Sequence, residues 1–207
     1  ALEPRGIIRR DPMGVLRRRD GLPSTRRPRR LPEYLDKAEI DSLIRVAPHP
    51  QAALLILMQW RAGLRVSEAL ALEPGDLSLD TDRPTLRVRR GKGNKTRIVP
   101  VHPELGAALM MATTYGGKRP GPFVAVHRST AWRWVEESAR KAKAAGLMQA
   151  DRRIGTHTLR HSAARHWLAS GIAINAVSRW LGHSSLQTTL IYLEVLPDPS
   201  GDMARVP

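Results

Sequence analysis

The chain has 207 residues, 42% of them hydrophobic, enough to bury a core for one or two domains. Its formal net charge of +15 makes a polyanion the first partner to consider. It has no cysteine, which excludes disulfides and thiolate chemistry, and no apolar run near the roughly 20 residues that span a bilayer.

The charge is uneven. Residues 1–30 carry ten arginines against Glu3, Asp11 and Asp20, a net +7, which leaves +8 for residues 31–207. Pro4, Pro12, Pro23 and Pro28 interrupt any helix there, so the segment reads as an arm or linker. Such an arm can track a phosphate backbone, with Arg26, Arg27, Arg29 and Arg30 its candidate DNA contacts. The chain opens on Ala1 rather than Met and has no apolar leader, which reads as a processed or excised intracellular, cytoplasmic protein.

Order is expected from about Leu31. Asp36 with Glu39 three residues on forms a capping-box pattern, followed by the stripe Ile40, Leu43 and Ile44. A second helix is expected from Gln51 to Arg61, stopping before Gly63. A short third helix follows Arg65, with Val66, Ala69 and Leu70 inward, until Pro74-Gly75. Thr85–Arg90 alternates as a strand, Gly91–Asn94 is turn chemistry, and Thr96–Val101 is the return strand of a hairpin with a basic tip. Helices are expected from Pro103 to Met111 and from Thr130 to Ala145, the latter with Trp132 and Val135 on one face. Thr156 is the expected cap of a helix running to Ser170, and further helices cover Asn175–Leu181 and Thr188–Tyr192. Trp60, Trp132, Trp134, Trp167 and Trp180 are expected mostly in the core. The fold class is therefore mainly α with one small β-hairpin, an α+β domain.

Chemistry concentrates in His157-Thr-Leu-Arg160-His161, Leu181-Gly-His183 and Tyr192, with Arg65 far upstream. Arginine stays charged and grips phosphate oxygens with a fork of N–H groups. Histidine exchanges protons near neutral pH, and tyrosine can act as a covalent nucleophile. His157 and Arg160, three apart on a helix, can address one ligand. Arg65 sits at a helix start, where backbone N–H groups also favour an anion. Lys92 at the hairpin tip can reach a site and protonate a leaving oxygen. His157 and His161 are spaced like a zinc pair, but Thr158 stands where a metalloprotease helix needs Glu, and nothing completes a ligand set. No metal or cofactor is expected.

Gly63-Leu-Arg-Val-Ser-Glu68, Gly91-Lys-Gly-Asn-Lys95, His157-Thr-Leu-Arg-His161, Leu181-Gly-His-Ser-Ser185 and Thr188-Thr-Leu-Ile-Tyr192, in that order, resemble the motifs of the tyrosine recombinase (phage integrase) family. The resemblance covers residues 31–196, the family's catalytic domain, between the arm at 1–30 and a tail at 197–207. It implies a site-specific DNA recombinase or integrase. Tyr192 would attack the scissile phosphate, giving a 3′-phosphotyrosyl link and a 5′-hydroxyl, and a second 5′-hydroxyl would then attack that link. Arg65 and Arg160 would hold the non-bridging oxygens, His157 would accept the tyrosine proton, Lys92 would protonate the leaving oxygen, and His183 would hydrogen-bond the phosphate. Glu68 would order the site. Lys95 and Arg97 are further DNA contacts, and His161 and His166 resemble structural positions. The partner is double-stranded DNA, with self-association into a tetrameric synapse.

Family members usually carry an N-terminal helical domain where this chain has only residues 1–30, which leaves much of the DNA grip unaccounted for. Ala163 replaces a bulkier residue. The rival readings are a type IB topoisomerase-like relaxing enzyme and a non-catalytic DNA-binding module. The compact Leu-Gly-His…Tyr spacing favours the recombinase over the former, and the full set of reactive residues over the latter.

Overall fold

A computed structural model describes residues 33–89, 96–115 and 121–192. The arm with Arg26, Arg27, Arg29 and Arg30, the tip with Lys92 and Lys95, and the tail lie outside the described residues.

Helix α1 (Lys37–Arg45) starts at the expected capping box: Asp36 accepts from the Glu39 N–H at 2.8 Å and Glu39 accepts from the Asp36 N–H at 2.9 Å. Helix α2 (Pro50–Arg61) begins one residue early, because Pro50 suits the first turn and the His49 ring takes the capping position. It is apolar nearly all round and buried nearly all round, packing against α1, α3 (Val66–Ala69), α4 (Pro103–Tyr115), α5 (Arg128–Ala144) and α6 (Thr156–Ala169). Trp60, Leu55, Ile56 and Met58 of α2 anchor the main core.

The hairpin is part of a three-stranded antiparallel sheet, β1 (Leu77–Ser78), β2 (Thr85–Val88) and β3 (Arg97–Pro100), in that order. The two-residue β1 is too short to carry a pattern in sequence. Leu86 pairs with Val99 and Val88 with Arg97, so Arg97 shares the inner face with Val99.

Helix α4 extends to Tyr115, and α5 starts at Arg128, capped by the His127 ring. On α5, Val135 is buried but Trp132 is 47% exposed, contrary to the expected shared inward face. Ala131, Ser138 and Ala142 take the inner stripe instead. Thr156 is the first helical residue of α6; the cap is Gly155, whose N–H is accepted by the Thr158 hydroxyl. α7 (Ile174–Leu181) ends at Gly182 in the left-handed conformation, and α8 (Gln187–Leu190) stops two residues short of Tyr192. A second cluster of Ala164, Leu168, Val177, Leu181 and Tyr192 seals α6, α7 and the chain around α8.

Candidate active site

Three elements meet around one carboxylate. The turn between α2 and α3 brings Arg65, α6 brings Arg160, and β3 brings Arg97, and all three face Glu68. Arg97 forms a bidentate pair with Glu68, Nη1 to Oε1 and Nη2 to Oε2 both at 2.8 Å. Arg65 donates its backbone N–H to Oε2 at 2.8 Å and its Nη1 to Oε1 at 2.9 Å. Arg160 Nη1 lies 3.7 Å from Oε2. Burial alone would raise the Glu68 pKa. The Arg97 hydrogen bonds and charge, the Arg65 N–H and the Arg160 charge outweigh it and bring the pKa to about 2.

Arg160 is almost fully buried, and its guanidinium is held by main-chain carbonyls of two other segments. Nη1 donates to Gly63 O at 2.6 Å, and Nη2 donates to Leu181 O. Gly63 makes this possible. Its φ of +58° is left-handed, and a Cβ there would stand 2.8 Å from Leu181 Cδ2 and 2.9 Å from the Trp167 ring. Burial and then the Arg65 charge lower the Arg160 pKa to about 9, with Glu68 opposing, so it remains a cation near neutral pH.

Arg97, expected as a DNA contact, is turned inward: its Nε donates to Trp180 O at 2.6 Å, its fork holds Glu68, and its stem packs across Gly182. The strand alternation that puts Val99 inside puts Arg97 inside too.

The histidines line the same region. His157 and His161 lie on one face of α6 with ring centroids 6.4 Å apart. The Tyr192 hydroxyl is 2.7 Å from His161 Nδ1. His183 Nδ1 lies 2.8 Å from the Thr189 hydroxyl, and its ring stacks 6.4 Å from Tyr192. Burial lowers the pKa of all three. Arg128, Arg160 and Arg65 add to it for His157; His157 and Arg160 take His161 to about 4; Arg160 and Arg65 lead for His183, also about 4. All three imidazoles are therefore neutral at pH 7. Burial raises the Tyr192 pKa, while Arg160 and Arg65 pull it back down.

A cleft of about 540 Å³ opens beside His157, between the starts of α5 and α6, lined by Arg128, Ser129, Trp132 and Thr156 among others. Trp132, expected mostly in the core, stands in this cleft, and no sequence motif points to Arg128. Among the described residues, no three His, Cys, Asp or Glu side chains group to hold a metal ion. No helix of the described residues is long and apolar enough to cross a membrane.

A family model described as "Phage integrase family" matches residues 33–198. The chain is 35% identical over 189 residues to a tyrosine recombinase of Pseudothermotoga lettingae, covering 88% of this chain and 63% of that protein. It spans about two thirds of the length of the curated relatives it matches. Its fold superposes on the crystal structure of XerA recombinase with a TM-score of 0.68 at 27% identity, over 89% of this chain and 67% of that one. It also superposes on XerH site-specific recombinase bound to its difH substrate, with a TM-score of 0.63 at 25% identity, over 86% and 55%.

Proposed function

The chain belongs to the phage integrase family, and from that membership and the geometry of the site we propose that it cleaves and rejoins DNA strands at specific sites through a 3′-phosphotyrosyl intermediate. The observation that carries this reading is the convergence of one phenol with two guanidiniums. Tyr192 packs on α6 beside Arg160 through His161 and the Leu181 cluster, and Arg160 and Arg65 meet at Glu68. A phosphodiester held by those cations meets the Tyr192 oxygen as its nucleophile.

Each residue then has a task. Arg160 and Arg65 neutralise charge on the non-bridging oxygens as the phosphorus becomes pentacoordinate, with donors fixed in place beforehand by Gly63, Leu181 and Glu68. His157 and His183 supply neutral hydrogen bonds to the same oxygens. Lys92 protonates the leaving 5′-oxygen. The strands on either side of it are tied down, β2 through Arg89 to Asp76 and Glu73, β3 through Arg97 to Glu68. Cleavage energy stays in the phosphotyrosyl bond, so strand exchange proceeds without a nucleotide cofactor. The partner is double-stranded cytoplasmic DNA, held by a tetramer of this chain. The cleft at Arg128 and Trp132 and the arm arginines Arg26, Arg27, Arg29 and Arg30 give the flanking grip, with Lys95 beside the scissile phosphate.

The test is covalent trapping. A pool of duplexes, nicked near their centres and randomised in both arms, is incubated with the full chain. DNA that stays attached to protein in detergent is recovered and sequenced. Wild type is expected to yield an enriched site and an adduct; Tyr192→Phe is expected to yield none. No adduct from wild type, or an adduct from Tyr192→Phe, refutes the reading.

A further inference from the structure

We propose that Thr189 is a positioning residue for strand cleavage: its hydroxyl holds His183 as the tautomer with its proton on Nε2, which makes that ring a hydrogen-bond donor to the phosphate. The inference rests on the strand-cleavage reading above and adds to it how an uncharged His183 is made to donate.

A neutral imidazole has one N–H and one lone pair, and the partner of one nitrogen decides which is which. Phosphate oxygens only accept, so the wrong tautomer would turn a lone pair towards them. His183 has no second proton to fall back on at neutral pH, because burial, then Arg160 and Arg65, bring its pKa to about 4. The Thr189 hydroxyl lies 2.8 Å from His183 Nδ1, and among the described residues it is the hydrogen-bond partner of that ring.

The direction of this bond follows from burial. Thr189 is 0% exposed, and among the described residues its hydroxyl has no other partner. If the hydroxyl accepted from Nδ1–H, its own proton would be buried without an acceptor, which costs free energy. Donating to Nδ1 avoids that and leaves the ring proton on Nε2. The use of the hydroxyl is also distinctive. Ser42, Thr113, Ser138, Ser162 and Ser170 each donate to the carbonyl four residues back in their own helix. Thr189 reaches a side chain beyond its helix instead.

Placement gives the contact a second effect. The Thr189 carbonyl accepts the Tyr192 N–H at 3.1 Å, and the His183 and Tyr192 rings lie 22° from parallel. One buried residue thus sets the ring that donates to the phosphate and the turn that carries the nucleophile. With no exposed surface of its own, it acts through His183 rather than on the DNA.

The experiment uses the full chain and the duplex that wild type selects from the randomised pool. Nitrogen-15 NMR at neutral pH reads the His183 tautomer in the free wild-type chain and in Tyr192→Phe bound to the duplex, and needs no change at Thr189. A proton on Nε2 is expected in both, and a proton on Nδ1 in either overturns the proposal. Single-turnover adduct formation is then followed for Thr189→Val, which keeps the shape without the hydroxyl, and Thr189→Ser, which keeps the hydroxyl. Thr189→Val is expected to slow cleavage by about 3- to 10-fold, the worth of one hydrogen bond, with DNA affinity nearly unchanged. Thr189→Ser should recover most of that loss. In a His183→Ala chain, adding Thr189→Val should slow cleavage no further. Wild-type cleavage by Thr189→Val, no recovery with Thr189→Ser, or full additivity with His183→Ala overturns the proposal. Failure of wild type to form any adduct, or an adduct with Tyr192→Phe, sinks the underlying strand-cleavage reading instead, and the tautomer of the free chain is measured independently of it.

Discussion

Glu68 faces three arginines, and the one that holds it most fully is Arg97. Arg97 is turned inward, with its fork on a carboxylate whose side chain is 4% exposed. Removing one partner of so buried a pair is strongly destabilising. Arg97→Ala should cost roughly 3 kcal/mol, the low end of the range for broken buried ion pairs, because Arg65 and Arg160 still face Glu68. Thermal unfolding checks this. A phosphate contact would behave differently: its loss reduces the slope of log affinity against log salt by about one. The slope for Arg97→Ala should instead match wild type. The motif residues Arg65, His157, Arg160, His183 and Tyr192 were legible in sequence as types in order, and the structure brings them together. The direction of Arg97 was legible only through its alternation with Val99, and basic charge near a basic tip drew the reading outward. The Tyr192–His161 contact was not legible. It spans 31 residues and depends on how α7 and α8 turn the chain back on α6.

At the scale of elements, the turn from α2 into α3 sets the site. Gly63 is left-handed, its carbonyl anchors Arg160, and the space beside it is filled by Leu181 and Trp167. Gly63→Ala would add the strain of a left-handed residue, about 1–2 kcal/mol, and a Cβ 2.8 Å from Leu181. Together these should come to roughly 3 kcal/mol and lower Tm by about 6–12 °C for a domain of this size. Cleavage on the selected duplex should fall further than stability alone explains, because the Gly63 carbonyl shifts away from Arg160. The caps and turns behind such elements read well where side chains cap in ordinary ways, as at Asp36 and Glu39. They read less well where histidines do so, as at His49 and His127. The inward stripe of α5 was misplaced because Trp132 is large and apolar, yet small residues fill the inner face and leave it in the cleft.

For the molecule as a whole, five histidines, three of them partly buried, make stability depend on pH. His102, His157, His161, His166 and His183 all have pKa values below the ordinary 6.5, with burial the first cause in each, and His161 and His183 reach about 4. Below pH 6.5 the unfolded chain takes up protons that the folded chain refuses. Their contribution is thus complete above about 6.5 and is lost as pH falls towards 4. Glu68 acts in a lower window. Its contribution is present above its ordinary 4.5 and is lost as pH falls to about 2. Tm should therefore decline steadily from pH 7 to 4. His183→Asn, whose amide can keep the Thr189 contact without titrating, should flatten that decline. A slope equal to wild type would show that His183 does not contribute.

Arg160 has a further consequence at this scale. Its two anchors are carbonyls, one before α3 and one at the end of α7, separated by more than a hundred residues of chain. A nascent or partly denatured chain can present every basic residue to DNA and adhere to it. It cannot aim this guanidinium until both ends of the domain have docked on α6. On the proposed reading, adhesion to DNA comes with charge alone, while the capacity to break a strand comes only with the finished fold.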